Sequence, residues 1–141
     1  MVGELLLGGV TGVAIGGRAL LIEGAPGSGK SSLAMALIDR GAVLIGDDGV
    51  RLSRSDGTVT AHPPPSVAGL LEVRNVGIIR LAAASAPVSL ILRLDMAAPR
   101  FPEEVARRSL LEVEVPELPF RPGDAVQALR AEWALRLHGL A

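Results

Sequence analysis

The segment that decides the fold reads Gly24-Ala25-Pro26-Gly27-Ser28-Gly29-Lys30-Ser31. It fits the pattern Gly-x-x-x-x-Gly-Lys-Ser/Thr, a loop that joins a strand to a helix and surrounds phosphate with backbone N–H groups. An apolar run at residues 18–23 precedes it, and Leu33, Ala36 and Leu37 follow it at helical spacing. Because both flanks have the required pattern, the sequence predicts an α/β fold, namely a P-loop nucleotide-binding domain.

The predicted phosphate contacts are the whole loop: Gly24, Ala25, Pro26, Gly27, Ser28, Gly29, Lys30 and Ser31. We expect Lys30 to bridge the β- and γ-phosphates of the nucleotide and the Ser31 hydroxyl to contact Mg²⁺. A glycine-rich turn with a chance Lys-Ser pair is the alternative, and the strand and helix patterns on both sides argue against it.

A pair of carboxylates, Asp47 and Asp48, follows the apolar run of residues 42–45 after the single residue Gly46. In α/β sheets, ligand chemistry gathers at the carboxyl ends of strands. One carboxylate can contact Mg²⁺, directly or through water, while the other accepts the proton of an attacking hydroxyl. Taken alone, these residues favour a solvated Asp-Asp-Gly turn over a functional site.

The remaining pattern predicts a strand-rich mixed sheet and a C-terminal helix. Gly16-Gly17 is expected to turn a hairpin between strands at 10–15 and 18–23. Further strands are expected at 42–45, 50–52, 58–60, 77–81, 88–94 and 110–115. The last helix is expected after Pro122-Gly123-Asp124, with its apolar face at Val126, Leu129, Trp133, Leu137 and Leu140.

Length and composition predict one domain over residues 1–141. A net charge of −1 predicts no attraction to nucleic acid or anionic membrane, and the absence of cysteine fits the cytoplasm. Met1-Val2-Gly3-Glu4 lacks the basic residues of a signal peptide, and the apolar residues 5–12 are too few to span a bilayer.

A second motif, Leu70-Leu71-Glu72-Val73-Arg74-Asn75-Val76-Gly77-Ile78-Ile79, follows Leu44-Ile45-Gly46-Asp47-Asp48 along the chain. Together with the P-loop, these segments closely resemble the C-terminal catalytic domain of the HPr kinase/phosphorylase family. That family has an Asp-Asp turn after the P-loop and then a Leu-Glu-x-Arg-Gly-x-Gly-Ile signature. The resemblance runs from about Gly9 to Arg100 and suggests a short, single-domain form over residues 1–141.

The resemblance implies ATP-dependent phosphorylation of a serine on HPr, the phosphocarrier of the sugar phosphotransferase system, together with the reverse phosphorolysis. It implies that Asp48 accepts the proton, with Asp47 beside it, and that Lys30 holds phosphate. Ser31 and Glu72 would hold Mg²⁺. The cofactors are then ATP and Mg²⁺, the partner is an HPr-like phosphocarrier, and the assembly is a homo-oligomer, typically a hexamer in the family.

Two arginines complete the implied catalytic set. Arg74 belongs to the second motif, and Arg100 lies where the family has an arginine ahead of a flexible loop. An arginine there could neutralise charge on the transferred phosphoryl group.

The sequence also departs from the family pattern. Counting back from the P-loop, the family's catalytic histidine falls on Gly9, and Asn75 replaces a signature glycine. Arg121-Pro122-Gly123-Asp124 departs from a segment that the family uses in dephosphorylation. Two hypotheses therefore stay open: an HPr-type serine kinase, or a nucleotide-binding regulatory module of the same fold that has lost phosphoryl transfer.

Other readings fit less well. A small-metabolite or nucleoside-monophosphate kinase would need an Arg-rich helical lid, and no Asn-Lys-x-Asp segment supports a GTPase. His62 and His138 are expected to be surface or packing residues.

Overall fold

The computed structural model describes residues 3–141. Met1 and Val2, which open the stretch used above to argue against a signal peptide, lie outside the described residues. The strands of the described chain are β1 (Glu4–Gly8), β2 (Val10–Ile15), β3 (Arg18–Glu23), β4 (Val43–Gly46), β5 (Gly49–Ser55), β6 (Thr58–His62), β7 (Leu70–Val73), β8 (Gly77–Arg80), β9 (Ala86–Leu94), β10 (Ala106–Leu110) and β11 (Val113–Phe120). The helices are α1 (Lys30–Asp39) and α2 (Gln127–His138).

The predicted first hairpin is confirmed with its register. β2 and β3 pair antiparallel from Val10 opposite Glu23 to Ile15 opposite Arg18. Gly16 and Gly17 turn the chain between them with φ angles of 57° and 82°. Glycine adopts such left-handed angles without steric cost, which is why this dipeptide was a reliable signal.

The main sheet is mixed, as predicted. Its strand order is β1-β5-β6-β9-β3-β2-β4, with β11 also paired to β9 and β10 to β11. β3 and β11 both run parallel to β9, whereas the remaining neighbours are antiparallel. β9 pairs with β6 at Ala86–Pro87 and with β11 at Ile91–Leu94, so the sheet divides there and curls.

The curled sheet encloses one apolar cluster and packs its other face against the two helices. Leu21, Val50, Leu52 and Ile91 belong to the enclosed cluster. On the other face, residues of β3 and β9 pack with Leu33 and Leu37 of α1 and with the alanines of α2. The strand pattern alternates between these two faces, as a sheet buried on both sides requires. β7 and β8 form a separate two-stranded sheet.

The strand expected at residues 110–115 is wrong, because the chain turns within it. β10 ends at Leu110, and β11 begins at its hairpin partner Val113. Leu111 and Glu112 make the turn with φ angles of 49° and 67°. Glycine and asparagine are the usual residues in this conformation, and neither is present at these two positions. The sequence therefore did not mark the turn. β1 and β7 were not identified as strands from the sequence.

The C-terminal helix is confirmed, but its predicted apolar face is wrong. The buried side of α2 consists of Ala128, Ala131, Ala134 and Leu135. The expected stripe residues Val126, Leu129, Trp133 and Leu137 are all exposed, and Leu140 lies beyond the helix. Small alanines let the helix approach the sheet closely, and they carry too little hydrophobicity to outweigh the larger residues in a periodicity argument. No helix in residues 3–141 combines the length and apolarity needed to cross a membrane.

Candidate active site

The glycine-rich loop connects β3, which ends at Glu23, to α1, which begins at Lys30. Gly29 at the helix N-terminus has a φ of 106°, an angle that residues with a side chain rarely adopt. A Cβ on Gly24 would collide with the Ser28 hydroxyl oxygen, so the loop closes tightly on itself. That oxygen is buried and has no hydrogen-bond partner among the described residues. The first turn of α1 presents backbone N–H groups without helical partners, which favours a bound anion.

Lys30 is buried at the base of this loop with 9% of its surface exposed. Its Nζ donates a hydrogen bond to the carbonyl oxygen of Gly24 at 2.8 Å. The ammonium group is therefore held inside the loop, in reach of an anion that enters it.

Asp47 joins three elements of the fold at one carboxylate. Ser31 Oγ on α1 donates to its Oδ1 at 2.6 Å, and Thr11 Oγ1 on β2 donates to the same oxygen at 3.3 Å. The backbone N–H of Glu72 on β7 donates to Oδ2 at 3.2 Å. The Asp47 carboxylate is consequently fixed beside the loop serine.

Asp48 has a left-handed backbone, with a φ of 60°. Its N–H donates to Thr11 Oγ1 at 3.2 Å, and its carbonyl oxygen accepts from the N–H of Gly9 at 3.0 Å. The two peptide groups of Asp48 are thus held by Thr11 on β2 and by Gly9, the residue that precedes this strand. The side chain is exposed and belongs to the cavity wall.

A cavity of about 820 Å³ lies over the loop, and its volume suits a nucleotide-sized ligand. It is lined by the loop and the first turns of α1, by the acidic turn and by the β7–β8 hairpin; the lining residues are Pro26, Gly27, Ser28, Gly29, Lys30, Ser31, Ser32, Met35, Asp47, Asp48, Glu72, Val73, Arg74, Asn75, Val76 and Gly77. Lys30, Ser31, Asp47, Asp48, Glu72 and Arg74, all chosen from the sequence, therefore share one cavity.

Arg100 is apart from this group. It lies in the exposed segment between β9 and β10, and its guanidinium carbon is 5.5 Å from the centre of the Phe101 ring. It does not line the cavity. Gly24 and Ala25 belong to the loop but lie outside the cavity wall.

The donor set fits a divalent cation that is shared with phosphates. Within residues 3–141, no group of three or more His, Cys, Asp or Glu side chains could hold a metal ion alone. The Ser31 hydroxyl and the carboxylates of Asp47 and Glu72 offer hard oxygen ligands in one cavity. Mg²⁺ is commonly bound by one or two carboxylates together with phosphates and water, which matches this set.

An ionic network lies directly behind the loop. Both terminal nitrogens of Arg108 on β10 contact the Glu23 carboxylate, and its Nε contacts Glu117 on β11 at 3.0 Å. The hydrogen bonds to Glu23 are the main cause that raises the pKa of Arg108, although partial burial acts in the opposite sense. Arg108 stays charged and ties the β10–β11 hairpin to the residue before Gly24.

Thr11 is the site residue that sequence reasoning missed. It is a single threonine in the apolar strand of residues 10–15, and threonine is common in strands for packing reasons. Only its burial, with 0% of its surface exposed, and its two contacts to the acidic turn reveal its place.

The fold and the site together define a mixed α/β domain with a strand-rich curled sheet, a C-terminal helix and an acidic turn facing a glycine-rich loop. The family model "HPr Serine kinase C-terminal domain" matches residues 6–130. The chain therefore belongs to the HPr serine kinase C-terminal domain family, which confirms the resemblance noted from its motifs.

Individual relatives agree with this assignment. An HPr kinase/phosphorylase of Geobacillus thermodenitrificans is 35% identical over 123 residues, covering 76% of this chain and 40% of that protein. The HPr kinase/phosphorylase of Shouchella clausii is 34% identical over 127 residues, covering 79% and 41% respectively. The chain thus spans about two fifths of the length of these relatives.

A solved structure matches almost the whole chain. The HPr(Ser) kinase/phosphatase from Coxiella burnetii superposes with a TM-score of 0.79 at 27% identity, and the match covers 95% of each chain. The curled sheet and the C-terminal helix are therefore those of an HPr kinase fold.

Proposed function

We propose that this domain transfers the γ-phosphoryl group of ATP to a serine hydroxyl of an HPr-like phosphocarrier. The observation that supports the proposal is the shared cavity, in which the phosphate-binding loop faces Asp48 and the β7–β8 hairpin. A phosphoryl donor and a hydroxyl acceptor must meet in one space, with a base beside the acceptor.

In the proposed reaction, the Asp48 carboxylate accepts the proton of the serine hydroxyl. The serine oxygen forms a new bond to the γ-phosphorus as the bond to the bridging oxygen of ADP breaks. Lys30 and Arg74 offset the negative charge on the phosphoryl oxygens. Arg100 would add its charge only if the segment between β9 and β10 brought it to the cavity.

Ser31 and Glu72 are the proposed holders of Mg²⁺, and Asp47 orients Ser31 through their 2.6 Å hydrogen bond. Mg²⁺ held there would neutralise negative charge on the nucleotide phosphates. In the reverse direction, inorganic phosphate would take the phosphoryl group from the carrier phosphoserine and form pyrophosphate. Asp48 would return the proton to the serine oxygen as the bond from that oxygen to phosphorus breaks.

The proposal also covers the setting of the reaction. We propose a cytoplasmic location and a homo-oligomeric assembly, which is a hexamer by resemblance, with no nucleic-acid or membrane partner. The exposed apolar stripe on α2, which includes Leu129 and Trp133, supports an assembly because such patches commonly mark protein interfaces. Native mass spectrometry tests this part, and a strictly monomeric protein would contradict it.

A regulatory module that binds nucleotide without transfer is the second candidate. Gly9 favours it, because the backbone of this residue contacts Asp48 and no side chain stands there to share the proton.

Incubation with Mg-ATP and HPr phosphocarriers, followed by intact-mass measurement and peptide mapping, separates the two candidates. One added phosphoryl group on a carrier serine supports the kinase. ATP binding by calorimetry without any transfer supports the regulatory module. Absence of ATP binding contradicts both, and a Lys30→Ala variant gives the baseline for that measurement.

A further inference from the structure

Thr11 is buried where polar groups are scarce. The buried polar or charged residues within the described chain are only Thr11, Lys30 and Ser89. A buried hydroxyl destabilises the fold unless it finds hydrogen-bond partners. The partners of Thr11 therefore indicate what its burial achieves.

Both partners belong to the acidic turn. The Thr11 hydroxyl donates to Asp47 Oδ1 at 3.3 Å and accepts from the backbone N–H of Asp48 at 3.2 Å. Its donor and one acceptor site are thus used on two adjacent residues, and a hydroxyl has only a single donor to give.

The backbone of Asp48 needs such support. A φ of 60° is unfavourable for a residue with a side chain, and such residues persist where their surroundings hold them. Thr11 holds the N–H of Asp48, while the Gly9 N–H holds its carbonyl oxygen. A different φ at Asp48 would send its carboxyl in another direction.

We propose that Thr11 is a positioning residue that fixes the direction of the Asp48 carboxyl through its backbone and the orientation of Asp47 through its carboxylate. Thr11 does not line the cavity, so it would act without touching either substrate. This inference rests on the proposed function for its kinetic consequence, although the structural part is independent of it.

The test compares Thr11→Val, which removes the hydroxyl and keeps the branched shape, with Thr11→Ser, which keeps the hydroxyl. Ser89→Ala is the matched control, since Ser89 is also buried and its hydroxyl donates to the Leu140 carbonyl oxygen at 2.5 Å. Ser89 does not line the cavity. NMR measures exchange of the Asp48 amide proton, and steady-state kinetics separate kcat from KM.

We expect Thr11→Val to speed exchange at Asp48 and to lower kcat by about 10²-fold with little change in KM for ATP, as a misdirected base would. Thr11→Ser should keep both the exchange rate and kcat at the parental values, and Ser89→Ala should change neither.

Unchanged exchange at Asp48 in Thr11→Val overturns the inference. So does a faster exchange with unaltered kcat in a parent that is active. A parent that transfers no phosphoryl group refutes the proposed kinase, and the exchange result alone then decides whether Thr11 fixes Asp48. If Thr11→Val does not fold, the same measurements on Thr11→Ser decide. The inference then requires slow exchange at the Asp48 amide and a kcat equal to that of the parent.

Discussion

Gly9 stands beside the proposed base with open space around it. Its N–H contacts the Asp48 carbonyl oxygen, and a Cβ built on it would meet no atom within 4 Å. Its φ of 74° is in the left-handed region, so any side chain there carries a conformational cost of roughly 1–2 kcal/mol. The position therefore offers room for a proton-sharing group at a modest loss of stability.

We predict that Gly9→His raises the rate of phosphoryl transfer, because a histidine beside Asp48 can orient it and share its proton. A gain of up to about 10²-fold is reasonable for one acid–base group. Gly8→His is the matched control, since Gly8 is a neighbouring glycine with equal space but an ordinary φ. Equal rates in both variants and the parent would show that position 9 does not assist Asp48.

Two residues assigned to Mg²⁺ give a second prediction. Glu72→Gln and Ser31→Ala should each raise the Mg²⁺ concentration needed for ATP binding more than they weaken metal-free nucleotide binding. Ser31→Ala removes an oxygen ligand, and Glu72→Gln replaces a charged carboxylate with a neutral amide that attracts the ion less strongly. Calorimetric Mg²⁺ titrations at fixed ATP measure the difference. Glu114→Gln, on the exposed side of β11, is the control. If the titration of Glu72→Gln overlays that of the control, Glu72 is a surface strand residue only.

Much of the site could be read from the sequence because its residues come in local motifs. The loop of residues 24–31 is contiguous, so its spacing alone revealed it. The adjacent pair Asp47-Asp48 became a candidate through the resemblance of its surroundings to the family pattern. Thr11 could not be found in this way, because its role depends on contacts across 36 and 37 positions of sequence. The exposed place of Arg100 was likewise hidden, since a short motif says nothing of where its loop lies.

At the scale of elements, an ion pair with Glu23 attaches the β10–β11 hairpin to the residue before the glycine-rich loop. The side chains of Arg108 and Glu23 are 32% and 20% exposed, so their contacts are only partly screened by water. Arg93 on β9 contacts the same Glu117 and is 46% exposed. Charges of alternating sign thus follow one another across four strands, in the order Arg93, Glu117, Arg108 and Glu23. Arg108 is the less exposed of the two arginines.

We predict that Arg108→Met lowers the free energy of unfolding by about 1.5–3 kcal/mol, because Glu23 would lose its charged hydrogen-bond donor while half-buried. Arg93→Met is the control and should cost less than about 1 kcal/mol, as more exposed ion pairs do. Urea unfolding followed by circular dichroism measures both. Equal losses in the two variants would show that the contact to Glu23 has no special weight.

The two elements that were predicted poorly fail for different physical reasons. In the β10–β11 hairpin, Leu111 and Glu112 adopt left-handed turn angles that residues of these types do not usually favour, so the sequence does not indicate the turn. In α2, a stripe of large apolar residues has the same period whether it faces the core or the solvent, and close packing selected the alanine face. The β2–β3 hairpin and α1 were predicted well, because glycines mark the ends that matter.

At the scale of the whole molecule, His62 on β6 links strand β5 to the segment that leads into β9. Its Nε2 is 2.7 Å from Ser53 Oγ on β5, and its Nδ1 is 2.9 Å from Ser85 Oγ ahead of β9. Burial lowers the pKa of His62, the positive charge of Arg51 lowers it further, and Glu4 opposes both. The neutral ring is therefore the form that suits the folded protein.

We predict that stability falls as the pH drops below 6.5, the ordinary pKa of histidine. Below this pH the unfolded chain protonates at His62 more readily than the folded protein does. The contribution of neutral His62 to the free energy of unfolding is therefore complete above pH 6.5 and is lost as the pH falls through the lower pKa of the folded state. His62→Gln keeps groups that can bond both serines and cannot titrate. The melting temperature of the parent should therefore fall relative to that of His62→Gln when the pH is lowered from neutral to acidic values. A difference independent of pH would contradict this.

The central claim concerns Asp48, and the rate of carrier phosphorylation by the parent and by Asp48→Asn at saturating Mg-ATP tests it most directly. We predict measurable transfer by the parent and a loss of about 10²–10⁴-fold in Asp48→Asn, with ATP affinity unchanged because the loop still holds the phosphates. Equal rates in the two proteins, or a parent that binds ATP and transfers nothing to any HPr carrier, would contradict the claim.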